Sequence, residues 1–256
     1  MDTELDIQQF FQKVEKICTH EQALQKERYH KGENYNLFSI LRIEGSELKH
    51  SALIANLLDP KGSHGCGDAF LRAFFEIALK DAYPFEECTL PHSYTEYYTG
   101  PIAGDTGGRI DILVTSSDYG LIIENKIYAG DQDKQLTRYD NYGKKDLKAD
   151  RYLLVYLTLF GNEASEGSTA KGSAKEVDYL CLSYAEDILR WLEQCARLAY
   201  DKPLVRESLN QYIQTIKQLT YQDMNQENIQ KIIDLAIDHP EVVATLSSKL
   251  DAIAQG

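Results

Sequence analysis

The sequence predicts an α/β protein in which a mixed β-sheet is flanked by helices, with helical additions at both ends of the chain. Two apolar runs rich in β-branched residues, 109–116 and 120–127, have the composition of neighbouring strands. A third strongly apolar run, 151–160, predicts a strand near the centre of the sheet. Between the second and third of these runs, residues 131–148 have the pattern of a helix. A chain of 256 residues is long enough to bury such a core.

The N-terminal part of the chain has the pattern of helices. Residues 4–28 are amphipathic, with apolar side chains recurring on one face. Ser46 is a candidate N-cap for a helix over 47–58, which Pro60 ends. The elements predicted next are a helix over 68–81, a β-like segment over 88–99 that pairs with 109–116, and a glycine-rich loop over 100–108 that joins the two strands.

The C-terminal part alternates polar segments with further elements. Small and polar residues over 161–176 predict a mobile loop after strand 151–160. Ser183 and Glu186 have the spacing of a capping box, which predicts a helix extending to about Leu198. The remaining predicted elements are a strand over 179–182 and helices over 203–220, 226–238 and 240–254.

Three charged residues lie inside the first two apolar strands. The turn-forming residues 117–120 predict a hairpin in which the numbers of facing residues sum to 235, so that Asp111 faces Glu124. Facing side chains of an antiparallel pair lie on the same side of the sheet. Because side chains alternate along a strand, Lys126 shares that side with Glu124. A slip of one residue would place Asp111 on the other face.

Two neighbouring carboxylates and an ammonium group suit a divalent cation. Carboxylate oxygens are ligands of Mg²⁺ or Mn²⁺, and such an ion can lower the pKa of a bound water and neutralise charge in a phosphoryl transition state. Lys126 could orient or deprotonate the attacking water or stabilise charge, and the backbone carbonyl of Asn125 is a possible further ligand. The alternative is a solvated ion pair, which the apolar flanks of both strands disfavour.

The helix that follows carries polar residues at helical spacing. Gln135 and Tyr139 are four residues apart and share a face, where Gln135 could hydrogen-bond a metal ligand or a phosphate. Lys134 and Arg138 share an adjoining face. These two cations are either contacts to a phosphate backbone or solvated helix charges.

These residues resemble the motifs of the PD-(D/E)XK nuclease superfamily. Asp111 matches the first acid, with Ile110 in place of the usual proline, and 124–126 matches the (D/E)-x-K element. The segment 135–139 resembles the Gln-x-x-x-Tyr element found in RecB-like branches of the superfamily. The segment 47–65 resembles the leading helix of a bacterial subfamily within it.

The resemblance implies a restriction-endonuclease-like fold and hydrolysis of nucleic-acid phosphodiester bonds with Mg²⁺ or Mn²⁺. It implies that Asp111 and Glu124 are metal ligands, that Lys126 is the catalytic lysine and that Gln135 supports the site. Glu47 would be a further acid at the metal. A structural role for Glu47 is also open, because the helix dipole favours an acid in the first turn of a helix.

The predicted organisation has three regions. These are an N-terminal helical extension over 1–45, a nuclease-like core over 46–185 and a C-terminal helical region over 186–256 that packs on the core. The C-terminal helices could alternatively form a homodimer interface or bind a protein partner.

Composition excludes some classes of protein. No apolar run approaches the roughly 20 residues that a membrane span needs, so no membrane association is expected. The acidic start lacks the pattern of a signal peptide. Five cysteines without a Cys-x-x-Cys pair indicate reduced thiols, so a cytoplasmic location is expected, and the resemblance implies a bacterial source.

The net charge of −13 disfavours nucleic-acid binding, because phosphate contacts dominate the affinity of most such proteins. The predicted function is nevertheless a metal-dependent nuclease that cleaves DNA with a metal-activated water. The alternative is a module that keeps the fold but only binds nucleic acid or another protein, for example as a subunit of a bacterial defence system.

Overall fold

The computed structural model of the protein describes residues 3–80, 91–117, 119–147, 151–169 and 177–254. The chain forms two compact units, one of Leu37–Thr220 and one that combines Met1–Asn36 with Tyr221–Gly256. These limits differ from the predicted boundaries after residues 45 and 185.

The smaller unit is helical and joins the two ends of the chain. Helix α1 (Thr3–Lys31) packs against α9 (Gln226–Asp238) and α10 (Pro240–Ala254). The apolar contact is made by Phe10 of α1, Leu235 of α9 and Val242 of α10, all of which are buried. Helix α1 of the first predicted region and the last two helices of the third therefore share one core, since their apolar faces pack together.

The larger unit is built on a five-stranded mixed sheet with the order β1-β2-β3-β4-β5. Strands β1, β2 and β3 are antiparallel neighbours, whereas β4 runs parallel to β3 and β5 runs parallel to β4. The five strands are His92–Ala103, Thr106–Thr115, Tyr119–Lys126, Arg151–Thr158 and Leu180–Ser183.

Helices cover both faces of this sheet, which confirms the predicted α/β fold with a mixed sheet. The helices of the larger unit are α2 (Leu37–Ile40), α3 (Glu47–Leu58), α4 (Ala69–Phe74), α5 (Gln135–Lys145), α6 (Glu166–Thr169), α7 (Leu189–Leu198) and α8 (Pro203–Leu219). Helices α3, α4, α7 and α8 share the main apolar core with one face of the sheet. Helix α5 packs on the other face through Leu136 and Tyr139.

The register of β2 and β3 is the predicted one. The pairs Ile112–Ile123 and Leu113–Ile122 both sum to 235. Of the turn residues, Asp118 lies outside the described residues. Residues Ile112 and Ile123 point into the main core, while Leu113 and Ile122 point towards α5. Because the faces alternate, the side chains of Glu124 and Lys126 lie on the α5 side of the sheet.

Two loop predictions need correction. The glycine-rich segment 100–108 is largely strand, with β1 reaching Ala103 and β2 starting at Thr106. In the segment 161–176, residues 166–169 form α6, in which Ser168 and Thr169 are buried. This helix is held against α5, since Ser168 accepts a hydrogen bond from the amide of Leu136. Residues 170–176 lie outside the described residues, as do residues 81–90, which include the end of the predicted helix 68–81 and the start of the predicted β-like segment 88–99.

The Ser183 cap differs in one detail from the predicted capping box. The Ser183 hydroxyl accepts hydrogen bonds from the amides of Glu186 and Asp187, as an N-cap does. In the reciprocal bond, the Ser183 amide donates to the Asp187 carboxylate at 2.9 Å, and not to Glu186. A π-helical turn, Tyr184–Ile188, at the start of this helix accounts for the shift by one residue.

Among the described residues, no helix combines the length and the apolar character needed to cross a bilayer. The thiols of Cys18, Cys66, Cys181 and Cys195 are free.

Candidate metal centre

The structure brings Asp111 and Glu124 together at the point where β2 and β3 separate. The paired residues of these strands end at Ile112 and Ile123. Beyond them the Asp111 carboxylate accepts a hydrogen bond from the amide of Asn125, with Oδ2 2.8 Å from the nitrogen. Burial and the negative charge of Glu47 outweigh this bond and the charge of Lys126, so the pKa of Asp111 is raised.

Glu124 has one bonded and one unbonded carboxylate oxygen. Its Oε1 accepts hydrogen bonds from Lys126 Nζ at 2.7 Å and from Gln135 Nε2 at 2.6 Å. Among the described residues, no group donates a hydrogen bond to its buried Oε2, and the Asp111 carboxylate is its acidic neighbour. Burial and the adjacent Asp111 carboxylate raise the pKa of Glu124 to about 8. Without a cation, ionised Glu124 is therefore destabilised in this position.

Lys126 remains an ammonium group in this environment. Burial alone would lower the pKa of Lys126, but the carboxylates of Glu124, Asp111 and Glu47 outweigh burial and raise it. A lysine with a raised pKa is a poor proton acceptor at neutral pH. Of the roles predicted for Lys126, this environment favours orienting groups and stabilising negative charge over deprotonating water.

The predicted role of Gln135 as a support for Glu124 matches its position at the start of α5. The Gln135 side-chain oxygen accepts a hydrogen bond from the amide of Gln132, while its nitrogen donates to Glu124. Tyr139, one turn later, lies 3.5 Å from the same nitrogen and donates to the carbonyl of Arg109 at 2.6 Å. Helix α5 is thus fixed to β2 and β3 at the site.

Glu47 lies at the edge of the site in a cradle of backbone amides. Its Oε1 accepts hydrogen bonds from the amides of Ile127, Tyr128 and Ala129, at 2.8 to 3.0 Å. Burial opposes ionisation, but these bonds and the charge of Lys126 prevail, so the pKa of Glu47 is lowered. A role at a metal would have to use Oε2, since Oε1 holds the end of β3. Ser46, the predicted cap of this helix, makes no side-chain cap bond.

The side chain of Asn125 points away from the carboxylates into the opposite layer. It donates to Ser51 Oγ at 3.0 Å and to the carbonyl of Glu47 at 3.2 Å, and it accepts from the Tyr184 hydroxyl at 2.9 Å. The amide and carbonyl groups of one strand residue point to the same edge. The Asn125 carbonyl therefore points to the same side of the strand as its amide, which donates to Asp111. This direction is the one that a further metal ligand would need.

His50, which precedes Ser51 in α3, is buried in the core. The His50 ring nitrogens lie 2.7 Å from the Tyr212 hydroxyl and 2.7 Å from the carbonyl of Glu44. Since a carbonyl only accepts, Nε2 carries the proton and Nδ1 accepts from Tyr212. Burial lowers the pKa of His50, although the Glu44 carbonyl and the charge of Glu47 oppose this effect.

This environment predicts a pH-dependent contribution of His50 to stability. With a lowered pKa in the folded protein, the contribution is present above the unfolded pKa of about 6.5 and is lost as the pH falls below it. We expect the slope of this loss to approach, but not exceed, about 1.4 kcal/mol per pH unit. The measurement is urea unfolding with EDTA, from about pH 7.5 to about pH 5.5, for the wild type and His50→Gln.

The quantity compared is the difference in free energy of unfolding between the two proteins at each pH. Glu124 contributes with the opposite sign in this range, because its pKa is raised and its protonation favours the folded state. Taking the difference cancels that contribution. His92→Gln, at an exposed histidine of β1, should leave the wild-type profile unchanged. A difference that does not narrow as the pH falls would contradict the prediction.

The carboxylate oxygens at the site are ligands that suit a hard divalent cation. Oε2 of Glu124 is a buried acceptor without a donor, and the Asp111 carboxylate lies beside it. Within the described ranges, no group of three or more His, Cys, Asp or Glu side chains is placed to hold a metal ion. Such a site suits Mg²⁺ or Mn²⁺, which keep several waters and bind through one or two carboxylates together with substrate phosphate.

Several neighbours of the site were not predicted. Asp131 accepts hydrogen bonds from the Tyr156 hydroxyl and the Ser165 amide, both at 2.7 Å, and lies within the electrostatic influence of Lys126. The sequence offers a weak signal for Asp131, which directly follows the Gly130 turn before α5. It offers none for Tyr156, which belongs to an apolar strand.

Both predicted roles for Arg138 are wrong, because its side chain is buried. It donates to the carbonyls of Gly107 and Asp133 and to the Gln132 side chain, so it joins the β1–β2 hairpin to α5. Lys134 lies 2.9 Å from Asp105 in an exposed ion pair. Neither side chain is arranged as a free phosphate contact.

Comparison with models of known protein families matches residues 35–220 to a family described as PD-(D/E)XK nuclease superfamily. The matched range coincides closely with the larger unit, Leu37–Thr220, which contains the sheet and the site. The same comparisons find no matching curated protein and no matching solved structure. The match covers well over half of the chain, and the chain therefore belongs to the PD-(D/E)XK nuclease superfamily.

Proposed function

We propose that this protein is a divalent-metal-dependent nuclease that hydrolyses DNA phosphodiester bonds with a metal-activated water. The observation that carries the proposal is the buried Oε2 of Glu124, which has no donor and lies beside a second carboxylate. Ionising two neighbouring buried carboxylates is costly unless a shared proton or a bound cation compensates for it, and a divalent cation is the compensation that suits a nuclease. Asp111 and Glu124 would hold Mg²⁺ or Mn²⁺.

Bound there, the cation supplies a water of lowered pKa and neutralises charge on the phosphate. The chain's own residues position these groups. The Asn125 amide orients Asp111, and Gln135 and Lys126 hold Oε1 of Glu124, so that Oε2 would be the oxygen available to a cation. The Lys126 ammonium faces the negative charge that develops on the phosphate oxygens. Glu47 fixes the end of β3, which carries Lys126.

The test is cleavage of plasmid, linear and single-stranded DNA and of RNA with Mg²⁺, Mn²⁺ or EDTA. Asp111→Asn keeps an oxygen that can accept from the Asn125 amide but removes the charge. We expect the wild type to cut DNA only with metal, and this variant to cut at least about 100-fold more slowly. RNA cleavage in preference to DNA would contradict the substrate assignment.

The matched control is Asp201→Asn, at an aspartate that pairs with Lys202 on the surface. It should cut at the wild-type rate. Metal-independent cutting, or cutting that survives Asp111→Asn, would show that the hydrolysis does not arise at this site. If wild-type protein binds DNA but does not cut it with either metal, the binding module is the better description.

A further inference from the structure

A cleft of about 230 Å³ lies beside the proposed metal site, between the β1–β2 hairpin and the start of α5. We call it the Tyr98 cleft. It is lined by Tyr98, Gly100, Pro101, Ile102, Gly108, Arg109, Gln132 and Tyr139. Gly108 has a φ of +128°, and a Cβ there would lie 3.2 Å from the Tyr139 ring, so a larger residue would press on this wall.

The Tyr98 cleft is connected to the carboxylates through Gln135. Two lining residues hold this side chain, since the Gln132 amide donates to its oxygen and the Tyr139 hydroxyl lies 3.5 Å from its nitrogen. That nitrogen donates to Glu124. A ligand in the cleft is therefore separated from the carboxylates by a single layer of side chains. This spacing suits one nucleotide of a strand whose phosphate lies at the carboxylates.

The lining of the cleft offers an aromatic surface and an apolar wall. Tyr98 is 63% exposed and Ile102 is 61% exposed, although both are large hydrophobic side chains. On the neighbouring strand, Arg109 faces Tyr98 and pairs with Glu96 at 3.2 Å. An exposed tyrosine next to an arginine is the arrangement on which unpaired bases stack in proteins that bind single strands.

The charges around the site disfavour a duplex as the substrate. The nearby cations Lys126, Arg109 and Lys134 each lie within 3.2 Å of a carboxylate oxygen. A duplex is held mainly by unpaired cations that neutralise its phosphates, and the net charge of −13 repels it. Base stacking on an aromatic ring adds affinity without neutralising phosphates, so it can offset part of the repulsion that an acidic protein also exerts on a single strand.

We propose that the Tyr98 cleft binds an unpaired base of the substrate strand, so that the protein acts on single-stranded DNA. This inference rests on the proposed nuclease function for the placement of the scissile phosphate. Tyr98 stacks on the base, and Ile102 and Pro101 contact its edge. The base next to the scissile bond must then be unpaired, which a closed duplex does not allow.

The test measures binding without cleavage. Fluorescence anisotropy with EDTA compares a labelled thymidine oligonucleotide with a duplex for the wild type, Tyr98→Ser and Tyr98→Trp. We expect the wild type to prefer the single strand and Tyr98→Ser to weaken that binding by roughly 5- to 150-fold, the range for one stacked base. Tyr98→Trp should retain it. A 2-aminopurine in the strand should be quenched by the wild type and not by Tyr98→Ser.

The matched control is Tyr200→Ser, at a tyrosine that is 75% exposed and lies outside the cleft. It should bind like the wild type. Three results would overturn the inference: unchanged single-strand binding by Tyr98→Ser, equal losses for single strand and duplex, or a wild type that prefers the duplex. Because these readouts need no cleavage, they are independent of the Asp111→Asn result, which tests the nuclease function itself.

Discussion

Glu124→Gln is expected to abolish metal binding and cleavage while stabilising the metal-free protein. The glutamine keeps the size of the side chain and an oxygen for Lys126 and Gln135, but it removes the buried charge beside Asp111. Without metal, the folded protein must either keep this carboxyl group protonated at neutral pH or bear its charge beside Asp111, and the neutral glutamine avoids both costs. With metal, the same charge is the main attraction for the cation.

The measurement is urea or thermal unfolding with EDTA and with increasing Mn²⁺. A ligand at 100 times its dissociation constant stabilises a folded protein by about 2.7 kcal/mol, and we expect the wild type to approach this value. Glu124→Gln should show no stabilisation by Mn²⁺ and a higher free energy of unfolding in EDTA. Glu186→Gln, at a glutamate with 69% side-chain exposure, should respond to Mn²⁺ like the wild type. Equal stabilisation of all three proteins would exclude a metal at Glu124.

The register that places Glu124 beside Asp111 could be predicted from the sequence for a physical reason. A one-residue slip would reverse the faces of Ile112 and Ile123, which point into the main core, and of Leu113 and Ile122, which point towards α5. Because both strands are buried on both faces and the turn between them is short, only one pairing register is compatible with the core. The position of Gln135 relative to Glu124 was a prediction from the resemblance and helical spacing, and the 2.6 Å bond places them together.

Other features depend on contacts between residues far apart in the chain. The cradle of Glu47 is made by amides about 80 residues later, and Asn125 is bonded by Tyr184, 59 residues away. No local pattern encodes these bonds. Arg138 has the spacing of a surface cation, and its burial depends on acceptors that include the hairpin carbonyl of Gly107, about 30 residues earlier. The pairing of α1 with α9 and α10 is likewise set by packing.

Lys126→Met is expected to slow cleavage by at least about 100-fold without preventing metal binding, which separates its role from that of Glu124. The ammonium lies 2.7 Å from Oε1 of Glu124, on the oxygen that a cation at Oε2 does not need. Removing a positive charge leaves the carboxylates at least as attractive to a cation. The transition state, in contrast, loses a donor facing its developing charge, so the turnover rate falls while KM changes little.

Single-turnover cleavage and Mn²⁺-dependent unfolding, measured on the same protein, test this separation. Lys144→Met is the matched control, because Lys144 also pairs with a carboxylate, Asp140, at 2.6 Å, but it lies in the last turn of α5. It should retain both properties. Loss of Mn²⁺ stabilisation in Lys126→Met would assign the lysine to holding the carboxylates in place. Retained stabilisation with lost cleavage would assign it to the chemical step, where an ammonium of raised pKa acts through its charge.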